Sequence, residues 1–248
     1  MRRLPVGLLD RFFDYPGDLG KRGRQKLGAF LEAAADDDEA RIYELLISLF
    51  DRWDRDGLYL AGSALAASRG VPAAGPAPTG FRSHLDRVLW LQYATWLPDN
   101  ILARQDKMSM ANSVESRIPF LDHVLVEFLA SVPPHLKLRS LTGANKILAR
   151  EYARRLLPQR VAGRPKRAFY IPTERYFSTP IFREMVGDCL GAKAVLRRGY
   201  FDPAAVTALV RSAEQSSEFV AVKQVLALVM LEMWHRIFID RESGWGTP

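Results

Sequence analysis

The sequence predicts a mainly helical protein, and three observations carry that expectation. Apolar residues recur every three or four positions in segment after segment. No run of alternating β-branched residues is long enough to make a strand. Prolines fall where helices would start or stop, rather than inside apolar stretches.

Taken in order, Leu4, Leu8, Leu9, Phe12 and Phe13 give a short amphipathic helix that Tyr15-Pro16-Gly17 ends. Leu27, Phe30 and Leu31 support a second, closed by the acidic run Asp36–Glu39, which also suits the start of a helix over 40–53. Residues 61–80 are rich in Ala, Gly, Pro and Ser and read as a flexible connection. A domain boundary is therefore expected there: 1–80 would hold leading helices and the connection, and 81–248 a helical domain. Helices are expected over 81–96, from Pro98 to about Ser113, and over 122–131 with Asp122 as N-cap. The last of these would turn Val124, Leu125, Phe128 and Leu129 inward. Further helices follow over 145–157, 181–190 and 203–212, with Asp202 capping the last. Residues 159–172 read as a basic loop. The terminal helix, near 218–239, is apolar on most of its circumference and should plug the core.

Composition narrows the function classes. The 248 residues carry 35 Lys and Arg against 28 Asp and Glu, a net charge of +7. Residues 137–168 alone hold ten basic side chains and one acid, Glu151. Such a block suits an anionic partner or a solvated helix face. Nucleic acid is disfavoured as that partner, because aromatic residues are sparse in the block and no binding motif accompanies it. Cys189 is the single cysteine, which excludes an internal disulfide and a multi-cysteine zinc site. The four histidines lack ligand spacing, so no metal site is expected from them. Met1-Arg-Arg-Leu-Pro lacks a signal-peptide core, and Lys223, Gln224 and Glu232 interrupt the most apolar helix. A cytoplasmic protein without a membrane span is the expectation.

The densest chemistry lies at 96–122. Arg104, Asp106 and Lys107 punctuate the helix there with charge. Beyond it Glu115 and Arg117 alternate with Val114, Ser116 and Ile118, an extended pattern that puts both charges on one side. From the residues alone, such a pair reads equally well as a structural clamp or as part of a site.

The phrase LPDNILARQDKMSMANSVESRIPFLDH at 97–123 resembles the signature of the glutamine-hydrolysing asparagine synthetase family, in its synthetase domain. The similarity continues through LVEFLASVPPHLKLR, KILAREYARRLLP and RPKRAFYIP to the terminal VMLEMWHR. It is strong over 90–175, weaker to about 238, and only compositional before residue 80. It implies the helical C-terminal portion of an adenine-nucleotide α-hydrolase-like (ATP pyrophosphatase) α/β synthetase domain. The family's reaction adenylates aspartate with ATP and lets ammonia displace AMP, so ATP and Mg²⁺ are the implied cofactors. Relatives amidate other carboxylates on the same scaffold.

By that resemblance Lys146 is the implied catalytic residue, steadying charge as ammonia attacks the acyl group. Arg104 and Arg117 would face the acidic substrate or phosphate, since a guanidinium grips either with two prongs. Asp106 and Glu115 would hold those arginines, and Lys166 would neighbour the phosphate. The chain departs from the family pattern at Ala144-Asn145, which separate Gly143 from Lys146, and at Ala168 and Tyr170, where many relatives have glycine. No cysteine lies near Met1, and the family's Ser-Gly-Gly-x-Asp-Ser and glycine-rich acidic motifs do not occur in the sequence. The expectation is a fragment or subunit of an asparagine synthetase-like ligase, partnered by an upstream half that carries the ATP loop. The alternative is a non-catalytic helical module that completes or regulates such a partner.

Overall fold

A computed structural model describes residues 29, 31–36, 39–63, 78–138, 146–164, 173–216 and 219–241 of the chain. Every regular element among them is helical, and Tyr59 and Phe201 form an isolated antiparallel bridge. The helix expected over 4–13, most of the 61–80 connection and residues 165–172, Lys166 among them, lie outside the described residues. The first part of the basic loop expected over 159–172 is instead a short helix, Gln159–Ala162, because Pro158 ends one helix and caps the next. The described residues fall into two compact units. One draws on Ile47–Val71 and Phe169–Pro248, the other on Gln25–Leu46 and Pro72–Ala168.

The first unit has a dense core around the helix Phe219–Trp234. Val222, Val225 and Val229 recur at helical spacing and are fully buried. Against them pack Phe182, Val186 and Cys189 of helix Pro180–Leu190, and Val206 and Ala213 of helix Pro203–Ser216. The latter starts as expected: the Asp202 carboxylate accepts from the Ala205 amide at 2.8 Å, just before Pro203. Gly199, at φ +74°, closes the short helix Ala192–Arg198 in the left-handed region that glycine enters without penalty.

Two expectations change here. The helix drawn over 40–53 divides into Glu39–Ile47 and Arg52–Leu58, because Asp51 and Asp54 form a reciprocal capping box that opens a new helix. The terminal helix is buried on one face only. Met230 and Trp234, with Phe238 in the π-helical turn His235–Ile239 that follows, lie exposed four residues apart on another.

A buried ion network ties this unit together. Glu232, with a side chain only 6% exposed, accepts from Arg198 at 2.8 and 3.1 Å and from Arg236 at 3.0 Å. Arg236 also bonds the carboxylate of Asp188 and donates to its carbonyl at 3.0 Å. Arg198 reaches Asp240 at 2.7 Å. Burial by itself would push the Glu232 carboxyl up, but the hydrogen bonds from the two arginines outweigh it and hold it below its ordinary range. Glu232→Ala should cost about 3–5 kcal/mol, the usual penalty for stranding buried partner charges. A group held below its unfolded pKa stabilises the fold at neutral pH and loses that contribution as pH falls through its folded value. The urea-midpoint gap between the parent chain and Glu232→Gln should therefore narrow as pH drops from 7 to below 4. A gap that stays constant would mean the network is held by packing instead of charge.

Candidate functional site

The second unit builds its site on one long helical run. Ser83 starts it, its hydroxyl accepting from the Asp86 amide at 3.2 Å. Helix His84–Leu91 then passes without a break through a π-helical stretch, Gln92–Leu102, into helix Ala103–Met110. Pro98 therefore does not start a helix, as its sequence position suggested, but sits inside one. In an α-turn its ring would clash with the carbonyl four residues back. The wider π turn accommodates it, and the Pro98 carbonyl accepts from the Ala103 amide five residues on. Across the unit, Lys137 bonds the Asp86 carboxylate at 3.0 Å and the Ala130 carbonyl at 3.2 Å. Burial alone would raise the pKa of Asp86; the hydrogen bonds from Lys137 and Ser83 prevail and lower it. Lys137, counted above in the basic block, is thus neutralised by an internal partner.

The run ends close to the expected place, through a left-handed residue. Ser113, at φ +56°, lets its own amide reach the Met110 carbonyl at 2.9 Å and the Val114 amide reach that of Ser109 at 3.0 Å. This is the paired pattern of a Schellman turn, with serine where glycine is usual. Residues 114–118 leave it without regular structure, Ile118 being extended, and lead into the 3₁₀ turn Pro119–Leu121. Helix His123–Ser131 follows, capped by the Asp122 carboxylate, which accepts from the Leu125 amide at 3.1 Å.

Glu115 and Arg117 pair with each other at 3.2 Å and are 71% and 84% exposed. They join neighbours on one segment, so they clamp no two helices together, and so exposed a pair contributes about 0–1 kcal/mol to the fold. Behind them lies a hollow of about 270 Å³ lined by Leu102, Gln105, Asp106, Ser116, Ile118 and Leu121. Gln105 donates to the Ser116 hydroxyl at 2.9 Å across it. Asp106 lines the hollow but does not pair with Arg104, which lies exposed two residues back, where a helix turns its side chain to the other side. Gln105 and Ser116 escaped the sequence reading because they meet across the Ser113 turn, where no periodicity relates them.

Lys146 is the N-cap of helix Ile147–Leu156, exposed and left-handed at φ 54°, ψ 43°. No described hydrogen bond joins its side chain to the Arg104–Arg117 wall. Farther along that helix Arg154 pairs with Glu151. Cys189, in the first unit, is buried, and burial pushes its thiol pKa up, the reverse of what a nucleophile needs. Among the described residues no group of three or more His, Cys, Asp or Glu could hold a metal ion. Arg104, Arg117 and Lys146 offer exposed cations from three segments, without a built cradle for a triphosphate. Neither Mg²⁺ nor a nucleotide fits a site made of these residues alone.

Apolar side chains are exposed on the segments before and after Glu115 and Arg117. Met108, Met110, Val114, Phe120, Val124 and Phe128 are all exposed, Phe120 at 74%. Val124 and Phe128 were expected to point inward; only Leu125 and Leu129 of that set are partly covered. No described helix is long and apolar enough to cross a membrane.

The family model described as asparagine synthase matches residues 9–236. The chain belongs to the asparagine synthase family. The match reaches back far beyond residue 80, where the sequence showed compositional likeness only. Asparagine synthetase [glutamine-hydrolyzing] 1 of Bacillus subtilis (strain 168) is 35% identical over 94 residues, 38% of this chain and 15% of that protein. A putative glutamine-hydrolysing asparagine synthetase of Mycobacterium tuberculosis (strain ATCC 25618 / H37Rv) is 25% identical over 168 residues, 68% of this chain and 24% of the relative. The amidase chry2 of Gibberella zeae is 27% identical over 156 residues, 60% and 23% of the two chains. The chain thus spans 15–24% of the length of these relatives. No solved structure matches it significantly.

Within this member of the family, the direction of the Glu115–Arg117 segment hangs on Ser113. Ser113→Gly should raise stability by about 1 kcal/mol by removing the left-handed penalty, and Ser113→Val should lower it, since a β-branched residue resists that region most. Urea denaturation of the two variants checks this. A stabilising valine would show that the residue is not left-handed.

Proposed function

We propose that this chain supplies one wall of the site of an asparagine synthetase-like ligase, which amidates aspartate or another carboxylate through an acyl-adenylate at the expense of ATP. The observation that carries the proposal is the exposed Glu115–Arg117 pair on the segment whose Ser116 shares a hollow with Asp106, in a chain of this family. The pair does little for stability, yet it is presented at a turn that places a strained serine to aim it. Arg117 and Arg104 grip the acidic substrate, Glu115 orients Arg117, and Asp106 remains open to a positively charged or hydroxyl group. Lys146 meets negative charge that develops on the substrate as the amine attacks. Lys166 lies near phosphate.

The nucleotide and Mg²⁺ are held by a further portion that carries the pyrophosphate loop, on the same polypeptide or another. Residues 81–248 then form the helical C-terminal part of an adenine-nucleotide α-hydrolase-like α/β synthetase domain, with 1–80 leading into it. The apolar side chains between Met108 and Phe128 are the surface this portion covers, since patches of that kind mark interaction sites. A cytoplasmic setting, where ATP is available, belongs to the same proposal.

The test uses the chain joined to, or mixed with, a portion bearing the ATP loop, with the isolated chain as a control that releases no pyrophosphate from ATP and aspartate. Lys146→Ala should cut kcat about 10²–10³-fold with little change in KM, because the charge it meets exists only in the transition state. Arg117→Lys should raise KM for the acidic substrate, since one ammonium cannot replace a forked guanidinium. Arg154→Ala should leave both constants alone. Equal behaviour of Lys146→Ala and Arg154→Ala would remove Lys146 from the site and favour the non-catalytic module.

A further inference from the structure

Gln105 sits between Arg104 and Asp106 on the helix Ala103–Met110, and Ser116 sits between Glu115 and Arg117 on the segment that follows. The Gln105 amide donates to the Ser116 hydroxyl at 2.9 Å. Among the described residues this is the one side-chain hydrogen bond that ties the segment 114–118 back to that helix. The backbone bond from the Val114 amide to the Ser109 carbonyl fixes only where the segment begins. Ser116 is drawn to the helix while its two neighbours, Glu115 and Arg117, meet each other in solvent, the alternation in which neighbouring side chains leave an uncoiled chain on opposite sides. Their mutual contact at 3.2 Å and their exposure agree with that alternation.

We infer that Gln105 is a positioning residue: through Ser116 it sets the direction in which Glu115 and Arg117 face the substrate. The inference rests on the proposed role of those two residues as a binding wall. Gln105 itself touches no reacting group. It acts by limiting the orientations of a segment that two charged side chains share, and so by lowering the ordering cost of binding.

Three variants separate this from a merely structural contact. Gln105→Met keeps the length and loses the donor. Ser116→Ala loses the partner. Gln105→Glu restores a hydrogen bond, because the serine hydroxyl can donate to the carboxylate. In the chain alone, hydrogen exchange of the Val114 amide, which bonds the Ser109 carbonyl at the start of the segment, should quicken about fivefold in Gln105→Met and in Ser116→Ala, as the loss of one net hydrogen bond gives. The double variant should be no faster than either single one, and Gln105→Glu should stay near the parent. In the chain completed with an ATP-loop portion, Gln105→Met should raise KM for the acidic substrate several-fold with kcat unchanged, and Gln105→Glu should recover most of it. Unchanged exchange in Gln105→Met, or identical behaviour of the Met and Glu variants, overturns the inference. So does a KM that rises with Arg117→Lys but not with Gln105→Met, a result that leaves the binding wall standing. If neither variant alters KM, the binding wall itself falls, and the positioning role with it.

Discussion

Ser113 holds a left-handed backbone at the end of the helix Ala103–Met110, and two backbone hydrogen bonds across it turn the chain into the segment that carries Glu115 and Arg117. A serine there costs about 1–2 kcal/mol relative to an unstrained conformation, so the surrounding bonds must over-determine it. The placement of the charged pair follows from that turn. It brings Ser116 within reach of Gln105, shapes the hollow between helix and segment, and lifts the charged pair into solvent. Pro98 contributes from the other end: by widening the helix instead of breaking it, it keeps Arg104 and Asp106 on the same run as the Ser83 cap.

The two units solve burial differently. The first has a dense core, with valines stacked along one helix and a carboxylate that two arginines satisfy, though Met230, Trp234 and Phe238 stay exposed. The buried charges Glu232 and Arg236 are paired with each other, so they stabilise the unit. The second buries few large side chains and leaves methionine, valine and phenylalanine in solvent on the segments before and after its charged pair. Apolar residues of that size gain roughly 1.5–3 kcal/mol each on full burial, and this gain is still open to whatever covers them. A unit so arranged is suited to complete a site together with another surface.

Much of the scaffold was legible because its signals are local. Asp122 and Asp202 could be read as caps, since the atoms they bond lie three residues away. The helical class and the family signature at 97–123 were legible for the same reason. Other features depend on contacts that sequence spacing does not record. Glu232 meets Arg198 across 34 residues, and Arg236 meets Asp188 across 48, so the ion network could not be seen in any pattern. Pro98 was read as a helix start because the rule against internal proline holds for α-turns and not for π-turns. Val124 and Phe128 were placed inward because periodicity reveals an apolar face without saying what covers it. The charged pair at 115 and 117 could be found in the sequence, but its isolation from any clamp could not.

The central claim is that the surface between Met108 and Phe128 is completed by a portion bearing the ATP loop. Hydroxyl-radical footprinting of the chain, alone and saturated with such a portion, addresses it directly, because methionine and phenylalanine side chains report their own exposure. Met108, Met110, Phe120 and Phe128 should be oxidised readily in the chain alone and become strongly protected in the complex. Oxidation of these four at the same rate in both samples would show that this face is not where the site is completed.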